Sequence, residues 1–353
     1  MADVLVTGAT GFVGGAVVYR LLHEPRVRSI AVLARASSEI RARERVLASA
    51  RRFGALPPAA AEIDVLAGDL ADVTLSRRVV DSVTHVVHAA ACTSFRARRV
   101  AWRTNVEGTR RLALQLRGGA RLERFLYVGT AYACGARTTP VVREDDPPAG
   151  AHVAEYTRTK LEAEAVLASM EGLPCVVARP SMVIGHTTLG VAPSASLFWY
   201  SRALAMAGIA PYADARKGDI VSVDYVADAL VELLFRPTLS FALYHVSAGA
   251  AAAVRWDEIR TRLAGPHSRS MAVAAEALAG HPAWRRVVVD DARFRRGVEA
   301  CARFSALPIE YFSNERLLAE GFAAPLPFTS WIDRCLATSD RTVIEQLRDD
   351  GVR

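Results

Sequence analysis

The sequence predicts an α/β fold, a doubly wound parallel Rossmann sheet with a smaller, mostly helical C-terminal substrate lobe. Three observations carry that expectation. Residues 3–180 alternate short apolar runs with helix-period segments, the pattern of a parallel sheet covered on both faces. The first apolar run ends in a glycine-rich turn that opens directly into a helix. After Pro180 the alternation weakens, and helical segments punctuated by proline take over. At 353 residues the chain is long enough for one large domain or two fused lobes.

The elements follow in order. Val4-Leu5-Val6, Ile30 to Leu33, Ile63 to Leu66, Val86-Val87, Phe125 to Val128 and Cys175 to Val177 read as buried strands. Between them Gly14 to Leu22, Ile40 to Phe53, Arg98 to Leu116 and Tyr156 to Met170 read as helices. Beyond Pro180, Ser194 to Ala207 reads as helix and Asp219 to Val223 as a strand. Asp224 is expected to cap a helix running to Phe235, and Leu243 to Val246 to return to the sheet. The expected domains are a Rossmann unit over 1–185 rejoined by 219–247, a substrate lobe from 186–218 and 248–345, and a polar tail over 346–353.

Composition narrows the class. Apolar residues make up 51% and charged residues 23%, which excludes disorder as the main state. Met1-Ala2-Asp3 runs into an apolar strand without a basic leader, and the apolar stretch from Ser194 to Ala213 is broken by Arg202 and Pro211. A cytoplasmic protein without an integral membrane segment is expected. The five cysteines are scattered without CxxC spacing, so neither a disulfide framework nor a metal site is indicated. The net charge of +7 comes with no helix-turn-helix or zinc pattern, and no nucleic-acid partner is expected. Lysine occurs only at 160 and 217, which makes both positions informative.

Thr7-Gly8-Ala9-Thr10-Gly11-Phe12-Val13-Gly14 stands where backbone amides can approach a pyrophosphate. Gly8 permits the tight turn, Gly11 the close approach, and Gly14 the packing of helix on strand. At the end of the second strand, where an acid would select NAD, the chain has Arg35, which can clamp a 2′-phosphate and favours NADP(H). The alternative is an exposed arginine in an arginine-rich protein. Gly68-Asp69-Leu70 either sets the Asp69 carboxylate against the adenine amino group or forms a helix-capping turn. Ala89, Ala90 and Ala91 end the fourth strand where the cofactor ribose passes, or simply pack closely. His88 reads as a core histidine and Asn105 as a residue that fixes helix and strand geometry.

Tyr156-Thr157-Arg158-Thr159-Lys160 places a phenol and an ammonium one helical turn apart, where chance predicts roughly 0.05 such pairs in the chain. A free phenol titrates near ~10, and an adjacent ammonium with an oxidised nicotinamide favours its ionised form. Thr130 ends the fifth strand at the carboxyl edge, where its hydroxyl can hold a reacting oxygen.

Taken together, these motifs resemble the extended short-chain dehydrogenase/reductase superfamily, and within it the thioester reductase and fatty acyl reductase branch. Arg179-Pro180 after the sixth strand is a mark of the superfamily, and the branch is marked by Arg35, the charged helix Ile40 to Phe53, Thr130-Ala131-Tyr132 and the stretch Asp219 to Asp228. The resemblance implies Thr130, Tyr156 and Lys160 as the catalytic group, with Pro180 and Val183 joining the NADP(H) contacts. It implies reduction of an acyl thioester to aldehyde or alcohol. Gly129 stands where a hydroxyl residue is common, and with no carrier or adenylation domain attached, an acyl carrier protein would arrive in trans. Arg96, Arg98, Arg99 and Arg103 can meet such a carrier or a CoA phosphate, or form a solvated helix face. Phe198, Trp199 and Tyr200 with Met182 and Met206 can line an acyl pocket or form core. The alternatives are a ketone or aldehyde reductase of the dihydroflavonol reductase or 3β-hydroxysteroid dehydrogenase type, a sugar-nucleotide epimerase or dehydratase, and a non-catalytic NADP-sensing binder.

Overall fold

A computed structural model describes residues 2–94, 97–193, 196–206, 209–210, 216–264, 271–272, 303–304 and 306–339. Seven parallel strands form the central sheet: β1 (Ala2–Thr7), β2 (Val27–Ala34), β3 (Asp64–Ala67), β4 (His85–His88), β5 (Arg124–Val128), β6 (Cys175–Pro180) and β7 (Leu243–Val246). Their order is β3-β2-β1-β4-β5-β6-β7, so the winding reverses between β1 and β4. In this topology the crevice outside the strand carboxyl ends at that reversal is where ligands sit.

Helices cover both faces, which is why the strands are apolar throughout rather than alternating. On one face lie α1 (Phe12–Leu22), α2 (Glu39–Arg51, capped by the Ser38 hydroxyl) and, in line with them, Val223–Phe235. On the other lie α3 (Arg77–Ser82), the helix that begins as α4 (Arg98–Ala101) and ends as α5 (Thr109–Arg117), and α6 (Glu155–Ala168). Counting α7 as Ser196–Met206, the Val223–Phe235 helix is α8. Its buried Val226, Leu230, Leu233 and Leu234 are each worth about 1.5–3 kcal/mol against exposure. A second cluster, including Ile184, Phe198, Ile220, Trp256, Trp331 and Ile332, forms its own core beyond the sheet.

Three local expectations are corrected. Asp224 does not cap α8: the Ser222 hydroxyl accepts from the Tyr225 amide, and Asp224 instead accepts from the Thr187 amide and hydroxyl. The strand expected over Asp219 to Val223 is therefore only Ile220–Val221, paired with Met182–Val183, because Ser222 has already turned into the cap. The helix expected from Arg98 to Leu116 is interrupted by a π-helical segment, Trp102–Gly108. Leu243 to Val246 returns as expected, beside β6. The 346–353 tail, Arg96 and Cys301 lie outside the described residues. Among the described residues no helix is long and apolar enough to cross a membrane, and the four cysteines are free.

Candidate functional site

The glycine-rich turn is built as its spacing demands. Gly8 adopts φ +79°, and its carbonyl accepts from the Gly11 amide at 2.9 Å. A Cβ on Gly14 would fall 2.1 Å from the Gly8 oxygen, so α1 packs on β1 as closely as backbone allows. On Gly11 a Cβ would meet only the Gly8 oxygen, at 3.2 Å, and Gly11 is exposed. Gly11 caps α1 without a side-chain bond and no acid stands in the first turn, so the positive helix end is open to an anion. The cradle thus fits a dinucleotide pyrophosphate. Thr10, Phe12 and Val13 keep partial exposure around it.

Thr7 does not line the cradle as the motif suggests; it is fully buried beneath it. Its hydroxyl pairs with His88 Nδ1 at 2.6 Å and accepts from the Ala90 amide at 3.2 Å, while His88 Nε2 pairs with the Thr109 hydroxyl at 2.8 Å. With both ring nitrogens bonded and no solvent, His88 is held neutral, down at about 3, first by burial and then by the Lys160 charge. It is the core histidine expected. Ala89, Ala90 and Ala91 are half-buried, and a side chain at Gly8 would strike the Ala89 and Ala90 backbone at 2.5 Å, which is why residue 8 must be glycine.

Helix α6 carries Tyr156 and Lys160 one turn apart, and Thr130 follows β5 at the cap of a 3-10 turn, Ala131–Cys134. Thr130 and Tyr156 come within hydrogen-bonding reach. Burial first, then the Glu164 charge, pushes the phenol up to about 12 against that hydrogen bond. Lys160 is 1% exposed, with its Nζ 4.2 Å from the centroid of the Tyr127 ring. Burial pulls it down to about 7, opposed by Glu164.

The remaining expected contacts divide. Arg35 is exposed just past β2, with no side-chain partner among the described residues. Asp69 Oδ1 accepts from the Ala71 amide at 3.0 Å, the capping-turn alternative, while the residue stays half-exposed. Leu70 is buried core. Asn105 is 1% exposed; it exchanges bonds with the Cys92 backbone at 2.7 and 3.0 Å and donates to the Thr159 hydroxyl at 2.9 Å. It ties the π segment to α6 and has no donor left for a cofactor. Pro180 is buried beside Val246, and Val183 packs half-buried against the core. Phe198 belongs to the second core, with Tyr200 and Met182 against it; the Trp199 and Met206 side chains lie outside the described residues. Arg98 and Arg99 are exposed, whereas Arg103 binds Asp72 at 2.5 Å.

Three features were missed by sequence reasoning. Glu164, one turn beyond Lys160 on α6, and Arg179 form a buried ion pair. Asp219, pushed up to about 6 mainly by burial, accepts from the Ala248 and Phe312 amides and so joins three distant segments. A cleft lined by Tyr132, Met182, Trp256, Phe304 and Phe312, with Arg216 and Lys217, opens one 3-10 turn from Thr130. For Glu164 the one available signal was its i+4 spacing from Lys160. Among the described residues no group of side chains could hold a metal.

The chain is an extended short-chain dehydrogenase/reductase that takes a nicotinamide dinucleotide as its cofactor. The chain belongs to the NAD-binding family described as male sterility protein, whose profile matches residues 6–230. Fatty acyl-CoA reductase 1 of Xenopus laevis is 32% identical over 145 residues, 37% of this chain and 28% of that protein. The non-canonical nonribosomal peptide synthetase FrzA of Cladobotryum sp is 26% identical over 263 residues, 69% of this chain and 26% of that protein. The chain thus spans about a quarter of the length of these two relatives. In fold it is similar to the terminal R domain of the myxalamid PKS-NRPS pathway, at TM-score 0.81 and 24% identity, covering 96% of this chain and 90% of that one.

Proposed function

We propose that this chain reduces acyl thioesters with NADPH, taking a CoA-bound or carrier-bound acyl group to the aldehyde or on to the alcohol. The reading is supported by Thr130 within reach of Tyr156, one helical turn from Lys160, in a chain that has an open glycine cradle and is similar to named fatty acyl-CoA reductases. The bound nicotinamide would supply the reducing equivalents. Thr130 and Tyr156 hold the substrate carbonyl oxygen between two hydroxyls, and Tyr156, kept protonated by its burial, gives that oxygen its proton. Lys160 offers its ammonium to the nicotinamide ribose and the phenol from inside α6.

Gly8, Gly11 and Gly14 shape the pyrophosphate seat, with Thr10, Phe12 and Val13 around it. The choice of NADPH over NADH rests on Arg35, exposed and unpaired among the described residues where an acid would repel a 2′-phosphate. The cleft lined by Tyr132, two residues beyond Thr130, is assigned to the acyl chain; exposed Arg98 and Arg99 offer charge to a phosphate of CoA or of an acyl carrier protein. Residues 1–185 with 219–247 then hold the cofactor, and the segments 186–218 and 248–345 the substrate.

Free thiol is the discriminating product, because only a thioester releases one. With acyl-CoA substrates, thiol should appear at one per NADPH if reduction stops at the aldehyde, or one per two if it proceeds to the alcohol. No thiol from a broad thioester panel, with ketones or aldehydes turned over instead, would refute the thioester assignment.

A further inference from the structure

Beside the catalytic group lies an ion pair for which the proposed chemistry has no use. Glu164 stands one turn beyond Lys160 on α6, and Arg179 lies near the end of β6. Glu164 Oε2 accepts from Arg179 Nη2 at 2.5 Å and from Nε at 3.1 Å, and Oε1 accepts from Nε at 3.2 Å. The two side chains are 8% and 7% exposed. Burying such a pair costs about as much desolvation as the attraction returns, so stability alone is a poor reason for it. Room for it comes from Gly129: a Cβ there would fall 2.5 Å from Glu164 Oε1 and 3.2 Å from Arg179 Cγ. The missing side chain at 129 therefore has a local cause.

Lys160 supplies the reason. Its ammonium is buried, and among the described residues it has the Tyr127 ring as a neighbour but no hydrogen-bond acceptor. The titratable groups set against it are Tyr156 and Glu164 on α6, Tyr127 on β5 and His88 on β4. Glu164 is the one carboxylate among these.

We propose that Glu164 is the fixed counter-charge of Lys160, a positioning residue clamped by Arg179 in the space left by Gly129, which keeps the lysine an ammonium under the phenol. This rests on reading Tyr156 and Lys160 as the catalytic pair. The electrostatics agree: burial pulls Lys160 down to about 7, and Glu164 is the influence that opposes it.

Because the chain has lysine only at 160 and 217, biosynthetic 15Nζ-lysine labelling yields two side-chain resonances, and Lys217→Arg assigns them. In Glu164→Gln the Lys160 titration midpoint should fall by about one pH unit or more, with the high-pH limb of the turnover profile moving down equally. Gly129→Ala keeps both charges but displaces the carboxylate, and should shift Lys160 in the same direction. Glu164→Gln leaves a buried guanidinium unpartnered, so the double variant Glu164→Gln, Arg179→Met removes both charges where the single variant fails to fold; a smaller fall is expected there, because the Arg179 cation that opposes the ammonium goes with the carboxylate. Lys160 titrating at the wild-type pH in folded Gly129→Ala and in the double variant, with only thermal stability changed, would overturn the proposal. The resonance needs no substrate, so it reads the counter-charge even if thioesters are not turned over.

Discussion

Two glycines of one motif should fail for different reasons. Gly14→Ala puts a methyl 2.1 Å from the Gly8 oxygen and 2.6 Å from the Gly8 carbon, where ordinary contact begins near 3.4 Å. Backbone is the obstacle on both sides, so α1 must lift from β1 by more than an ångström. Ala16, Val17, Val18 and Leu21 of that helix are core, and overpacking of this kind costs about 1–3 kcal/mol. The cradle is distorted with it, and each 1.4 kcal/mol lost to that distortion weakens NADPH about tenfold. Gly11→Ala meets only the Gly8 oxygen, at 3.2 Å, and leaves the core alone. On the proposed reading the pyrophosphate passes over this exposed turn, where an added methyl obstructs it. Calorimetric titration with NADPH, paired with thermal unfolding of the cofactor-free protein, separates the cases. Gly14→Ala should lose both Tm and affinity; Gly11→Ala should keep Tm within a degree or two and lose affinity by roughly tenfold or more. Normal NADPH binding by Gly11→Ala would refute the reasoning, since the cofactor would then not pass over that turn.

Tyr156→Phe should retain NADPH affinity while turnover falls by roughly 10²-fold or more, the usual worth of a positioned proton donor; near-normal turnover in steady-state assays would remove the assignment. Arg35→Asp should weaken NADPH far more than NADH in parallel titrations, and equal losses would make Arg35 a bystander. Acid should destabilise the fold, because burial holds His88 and His245 down at about 3. Each prefers its neutral form when folded, so its contribution is present above the unfolded value of 6.5 and is lost as pH falls from there toward 3. From pH 7.5 to 5 the two cost about 4 kcal/mol, of which Asp219, raised to about 6, returns about 1 as it protonates. A Tm unchanged across that interval would show these groups to be solvated.

What could be read in advance was local. A buried parallel strand is an apolar run, so each expected strand of the Rossmann unit through Cys175–Pro180 lies within a few residues of its expected place. Tyr156 and Lys160 share a helix, and i, i+4 spacing alone places them on one face. The reading failed where a local signal had two claimants. Ser222 and Asp224 are both good caps, and the choice went to Ser222 because Thr187, distant in sequence, occupies the Asp224 carboxylate. Thr7 sits in a ligand-binding motif, yet His88 on the neighbouring strand takes its hydroxyl, whereas Asn105, bonded to Thr159 on α6, holds helix geometry as expected.

The sequence by itself determined the strand and helix periods, the glycine turn and the catalytic spacing, because each depends on neighbours within about one helical turn or one strand. Tertiary structure decided which polar groups face the crevice and which are consumed beneath it. Thr130 reaches Tyr156 from another element, Thr7 meets His88 across 81 residues, and Glu164 meets Arg179 only because α6 packs on β6 at a strand end where residue 129 has no side chain. The physical reason is desolvation. A buried polar group must find a partner wherever packing brings one, and that partner's place in the chain carries no local signature.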